Sequence, residues 1–185
     1  FRNTFFGQVV QSLPKTVVHT TSAALATKSA FRTAQAAYTL WPISFRRSLD
    51  PASTLRSTSR NALFNRAALR AIYGTSNDFL GQENCLLSLS NFARADTPTN
   101  YVLTFDWTIG PGDAWGSLAG YAFNQTLKTR RAIAANNLTK TITVPKSFVS
   151  LPFLVALSFP FSDWMGPPPW WGYTSAPGVF CYWFA

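Results

Sequence analysis

The chain has 185 residues, enough for one core with an extension or at most two small domains. It is 47% hydrophobic and 16% aromatic but only 12% charged. That is about half the usual share of charge for a soluble domain, so a partner or a membrane is expected to cover much of its surface. Two cysteines, Cys85 and Cys181, and one histidine, His19, exclude a disulfide framework, a multi-histidine metal site and a Ser-His-Asp triad on the folded domain.

The formal net charge of +9 first suggests nucleic acid, but it is unevenly placed. Residues 1–75 hold ten basic groups, Arg2, Lys15, Lys28, Arg32, Arg46, Arg47, Arg56, Arg60, Arg66 and Arg70, against Asp50 alone, so 10 − 1 = +9. Residues 76–185 hold six basic groups and six acids and sum to zero. A nucleic-acid-binding domain more often carries its basic patch on the folded face among exposed aromatics, so nucleic acid ranks below protein partners.

The chain opens at Phe1 rather than methionine, which is expected either of a processing product or of a sequence that starts at the edge of an ordered region. The following stretch is rich in Arg, Ser, Thr and Ala and nearly free of acid, the composition of a mitochondrial or plastid transit peptide. Phe1-Arg2-Asn3-Thr4 resembles the start of the octapeptide left by a matrix processing cut; an ordinary extended arm is the alternative. Thr21 or Ser22 caps a helix reaching about Trp41, with Ala24, Phe31, Ala34, Tyr38 and Trp41 at helical spacing and Pro42 as its stop. A second helix is expected from Asp50 at the cap and Pro51 in the first turn to Gly74. At 100° per residue, Arg56, Arg60, Arg66 and Arg70 share an arc of about 120°, with Leu55, Ala62, Leu69, Ile72 and Tyr73 largely away from it and Leu63 breaking the separation. A basic face of this kind suits anionic lipid, an acidic partner surface or RNA, or is simply solvated.

After Gly74 the period becomes two. Cys85 to Phe92 reads as a strand, followed by a turn at Asp96-Thr97-Pro98-Thr99-Asn100. Tyr101 to Ile109 is the clearest half-buried strand, with Tyr101, Leu103, Phe105, Trp107 and Ile109 on one face. Gly110 to Asp113 is a loop, Ser117 to Phe123 a short strand, Lys128, Arg130 and Arg131 a solvated basic loop, and Thr139 to Val144 another strand. The region from Phe148 to Phe161 is shorter than the roughly 20 residues a membrane helix needs and contains Pro152 and Pro160. Phe153 to Phe159 therefore reads as a buried strand, with a short membrane-embedded segment as the alternative. In the tail from Trp164 to Ala185, Trp164, Trp170, Trp171 and Trp183 join a proline run, a combination suited to docking on another subunit or to wrapping over its own domain.

No phosphate loop, Cys-x-x-Cys or dinucleotide fingerprint occurs. Asp106 and Asp113 with Trp107 and Trp115 are a weak glycosidase-like constellation, and Asp106 is expected to point outward. Asn124-Gln125-Thr126 and Asn137-Leu138-Thr139 are glycosylation sequons. Cys85 and Cys181 read as buried free thiols, with a single bridge as the alternative.

The expected fold is α+β: a basic two-helix N-terminal arm (1–75), a small antiparallel β sandwich or barrel-like domain (76–163) and an aromatic docking tail (164–185). The expected role is a non-catalytic accessory subunit of a large hetero-oligomeric complex at the mitochondrial inner membrane, peripheral or shallowly embedded, of respiratory-chain or ATP-synthase type. No cofactor or metal is expected. Arg56, Arg60, Arg66 and Arg70 are the candidate lipid- or partner-binding residues, and the four tail tryptophans the candidate docking residues. A plastid location, an organellar ribosomal protein and a viral coat protein with a basic arm are the alternatives.

Overall fold

The computed structural model describes residues 21–47, 49–55, 57–74, 88–108, 118–135, 139–158 and 178–185, except the side chains of Pro51, Ala52, Leu55, Ser88, Trp107 and Thr108. Helices come first and antiparallel strands after them, an α+β order. The first helix, α1 (Ser22–Leu40), starts where the Thr21 hydroxyl accepts from the Ala24 N–H, and the Trp41 N–H closes it on Ala37 and Tyr38. Pro42 prevents its continuation. Short helices α2 (Ile43–Arg47) and α3 (Asp50–Leu55) follow.

The second expected helix is divided. α3 and α4 (Arg60–Ile72) are separated by a turn in which Ser57 has φ 48° and Thr58 N–H returns to the Ser53 carbonyl at 3.1 Å. The cause is local: serine and threonine side chains compete for backbone groups and favour caps. Ser59 takes the N-cap of α4, its hydroxyl accepting from Ala62 N–H at 3.1 Å. At the other end Gly74, at φ 64°, supplies the left-handed residue expected after Tyr73.

Among the described residues seven strands follow: β1 (Ser88–Arg94), β2 (Asn100–Thr108), β3 (Ala119–Asn124), β4 (Thr129–Ala134), β5 (Thr141–Pro145), β6 (Phe153–Ser158) and β7 (Phe180–Phe184). They form two antiparallel sheets, β1-β2-β5 and β4-β3-β6-β7, which do not close into a barrel. The strand over 129–134 replaces the solvated loop expected around Arg130 and Arg131; β4 is nearly all exposed, so it lacks an alternating apolar pattern and exists through its pairing with β3. The last residues of the tail, 180–184, form the edge strand beside β6. Cys181 is buried and forms no bridge among the described residues, and Cys85 lies outside them.

The sheets and helices stack as three layers with two cores. Between the sheets lie Tyr101, Leu103, Phe105, Ile142, Val144, Phe153, Val155, Leu157, Phe180 and Phe184. Between the helices and the outer face of the four-stranded sheet lie Ala34, Trp41, Phe45, Phe64, Ala68, Phe123, Leu154, Ala156 and Cys181. β6 contributes alternately to both, and all six of its residues are buried. That position explains its uninterrupted apolar run, since each fully buried large aliphatic side chain contributes about 1.5–3 kcal/mol. The Phe153 and Phe184 rings stack at 4.6 Å, and Phe92 closes the sandwich edge by stacking on Phe105 and Phe180.

Candidate docking surface on the helical layer

α1 and α4 bury only part of their surface. Ala30, Ala34 and Ala37 of α1 face the core, and small residues at that spacing let the helix lie close to its neighbours. Residues 22–29, by contrast, contribute nothing to either core, and Leu25 is 56% exposed. On α4, Leu63, Phe64, Ala67, Ala68 and Ala71 are buried. Its other face carries Ala62, Arg66, Leu69, Arg70 and Tyr73, a stripe recurring every three to four residues.

Phe31 of α1 and this stripe enclose a shallow groove of about 560 Å³, completed by Ser59, Asn61 and Asn65. The helical spacing of Phe31 and Tyr73 places both on apolar faces, yet they are 47% and 50% exposed. A row of amides links the helices: Gln35 Nε2 and Asn65 Nδ2 both donate to Asn61 Oδ1, at 3.2 and 2.7 Å. Asn65 is buried, and its Oδ1 accepts no hydrogen bond among the described residues. Sequence reasoning missed these amides because asparagine within a helix carries no spacing signal.

The helical layer is strongly basic. Its described residues include Lys28, Arg32, Arg46, Arg47, Arg60, Arg66 and Arg70, with Asp50 as the acid. Arg60 is bound back to Asp50 across the α3–α4 turn. Arg46 donates from Nε to the Trp41 carbonyl at 2.7 Å and from Nη2 to the Thr39 carbonyl at 2.5 Å, while its guanidinium lies 4.7 Å over the Tyr38 ring. Arg130 reaches from β4 to the Leu40 carbonyl. Cations at those carbonyls complement the negative end of α1, so Arg46 ties α2 to that end and Arg130 fastens it to the sheet. Arg47 and Arg66 remain exposed.

Of the four candidate arginines, Arg66 and Arg70 line the groove and Arg60 is in the Asp50 pair. The α3–α4 break means that the four do not share one helical arc; Arg56 is outside the described residues. Trp183 packs, partly buried, against the helix-facing core, whereas Trp164, Trp170 and Trp171 are outside the described residues. Asp106 points outward and accepts from Asn91 Nδ2 at 2.8 Å; Asp113, Trp115 and the Trp107 side chain are not described. Asn124 of the first sequon is buried, donating to the Phe148 carbonyl at 2.7 Å and accepting from Leu127 N–H at 3.0 Å. It organises the β3–β4 turn, and Asn137 is undescribed.

The perturbed titratable groups lie away from the groove. The Asp96 carboxyl is held below its ordinary range, first by the Arg94 hydrogen bond, and that bond raises Arg94 in turn. Burial raises both the Cys181 thiol and the Tyr182 phenol. Among the described residues no group of three or more His, Cys, Asp or Glu is placed to hold a metal, and no helix is long and apolar enough to cross a membrane. No family model, curated protein or solved structure matches the chain.

Proposed function

We propose that this chain is a non-catalytic structural subunit of a large protein assembly at the mitochondrial inner membrane, of respiratory-chain or ATP-synthase type. The observation that carries the reading is the half-exposed Phe31 and Tyr73 on either side of a groove in a layer of strongly positive charge. Apolar rings of this size are normally withdrawn from water unless they meet a partner. Its physical role is to bury apolar surface of neighbouring subunits and fix their geometry. The compartment rests on the acid-free, Arg/Ser/Thr/Ala-rich composition of the first residues.

Sedimentation of gently solubilised mitochondria on a detergent gradient tests the role. The chain is expected in fractions of a respiratory or ATP-synthase complex. Migration with ribosomes, or as a free protein, refutes it. A fluorescent fusion of the precursor that stays outside mitochondria removes the compartment.

A further inference from the structure

The groove between α1 and α4 has a lining that selects its occupant. We propose that it receives an acidic amphipathic helix from a neighbouring protein subunit, which sets a carboxylate on Arg66 and an apolar side chain between Phe31 and Tyr73. This inference rests on the structural-subunit reading and specifies the chemistry of its partner.

Charge selects the sign of the occupant. The helical layer carries seven described basic side chains against Asp50, which already holds Arg60. Arg66 is exposed and has no ion-pair partner among the described residues. Its planar fork suits bidentate recognition of a carboxylate.

Apolar chemistry selects an amphipathic segment rather than a merely acidic one. Phe31, Leu69 and Tyr73 line the groove together with Arg66 and Arg70. Aromatic side chains with few rotatable bonds are ordered at low entropic cost and anchor interfaces. The stripe from Ala62 to Tyr73 extends for about 16 Å at 1.5 Å per residue, matching roughly three turns of a partner helix. Such helices read a groove through side chains at i, i+3, i+4 and i+7.

The groove's polar residues favour peptide over lipid. Asn61 and Asn65 stand among the apolar lining. A membrane-facing surface would instead carry apolar residues at its deepest points with basic residues around them.

The test replaces Phe31 in the full chain with photoreactive p-benzoylphenylalanine and irradiates intact mitochondria. The expected product joins this position to an identified segment of a different subunit, net negative and with helical apolar spacing. Arg66→Glu in the same chain lowers the yield about tenfold or more, as expected of like-charge juxtaposition at an interface, whereas Arg66→Lys, which keeps the charge but loses the bidentate fork, lowers it less. Arg66 is exposed, so both variants fold, as an unchanged circular dichroism spectrum checks. Crosslinks to lipid, to RNA, to a second copy of this chain or to a neutral or basic segment overturn the assignment. Absence of a crosslink, or a yield indifferent to Arg66→Glu, does the same. If the chain sediments with the assembly and one of these contrary outcomes is found, only the groove assignment fails; if it sediments free, the subunit reading itself fails.

Discussion

Gly120→Ala is expected to be among the most damaging single-methyl additions in the protein. Gly120 lies in β3, paired with Leu157 of β6 and Ile133 of β4. A Cβ there would fall well inside contact distance of the Ala156 carbonyl oxygen and 2.8 Å from Leu157 Cα. Carbon atoms in contact normally stand about 3.5–4.0 Å apart, so β3 and β6 would have to separate by roughly 1 Å. The obstacles are backbone atoms and cannot turn aside as a side chain would. Overpacking costs about 1–3 kcal/mol, and weakening two or three ladder hydrogen bonds adds about 1 kcal/mol each. Together they give roughly 3–6 kcal/mol, a large fraction of the 5–15 kcal/mol typical of a whole domain. Urea unfolding followed by tryptophan fluorescence measures this loss. Gly74→Ala is the reference: Gly74 has φ +64°, and a methyl group on its Cα would meet no atom within 4 Å, so its backbone strain should cost about 1 kcal/mol. A Gly120→Ala loss no greater than that reference refutes the close-approach argument.

Further outcomes follow from the same contacts. Ser59→Ala should cost about 1 kcal/mol of global stability because it uncaps a helix packed on a core, whereas Thr21→Ala should chiefly speed hydrogen exchange in the exposed first turns of α1 without moving the unfolding midpoint. Arg46→Ala and Arg130→Ala should each cost about 1–2 kcal/mol in urea unfolding, since both donate to carbonyls at the end of α1; no loss from either would show that the α1 end is held by packing alone. Asp96 has a lower pKa folded than unfolded, so its contribution is present above the ordinary carboxylate range and disappears as pH falls through the lowered value. The stability difference between the native chain and Asp96→Asn should therefore be largest near neutrality and shrink on acidification, and a difference independent of pH would refute it. In a Cys85→Ser background, Cys181 should resist thiol reagents until the protein unfolds, because it is buried and its thiolate is disfavoured.

The sequence and the tertiary structure divided the work along physical lines. Local signals were sufficient where the cause is local. Thr21, Pro42 and Gly74 marked helix boundaries, and alternation in Tyr101, Leu103 and Phe105 marked a strand with one buried face. The change of period after Gly74 carried the α+β order, and Arg66 and Arg70 of the groove were visible as a basic face. The break before α4 was missed because Asp50 and Gly74 signalled the outer ends while Ser57, Thr58 and Ser59 formed an internal stop.

Position in the fold decided the rest. β4 has no apolar alternation because both of its faces lie largely in water, and its strand form comes from pairing with β3. Arg130 reads as solvated in the sequence, but closing the β3–β4 hairpin carries it to the α1 end. Phe31 and Tyr73 have the spacing of core residues, and only the packing of α1 against α4 leaves them facing a groove. The apolar run of β6 likewise has one composition for a membrane or a core; burial between two layers decides which, because its alternate residues enter two different cores. By itself the sequence determined charge, periodicity and caps, which act within a few residues. Which apolar surfaces are covered, and which are left for a partner, depends on residues brought together from distant parts of the chain, and only the tertiary structure decides it.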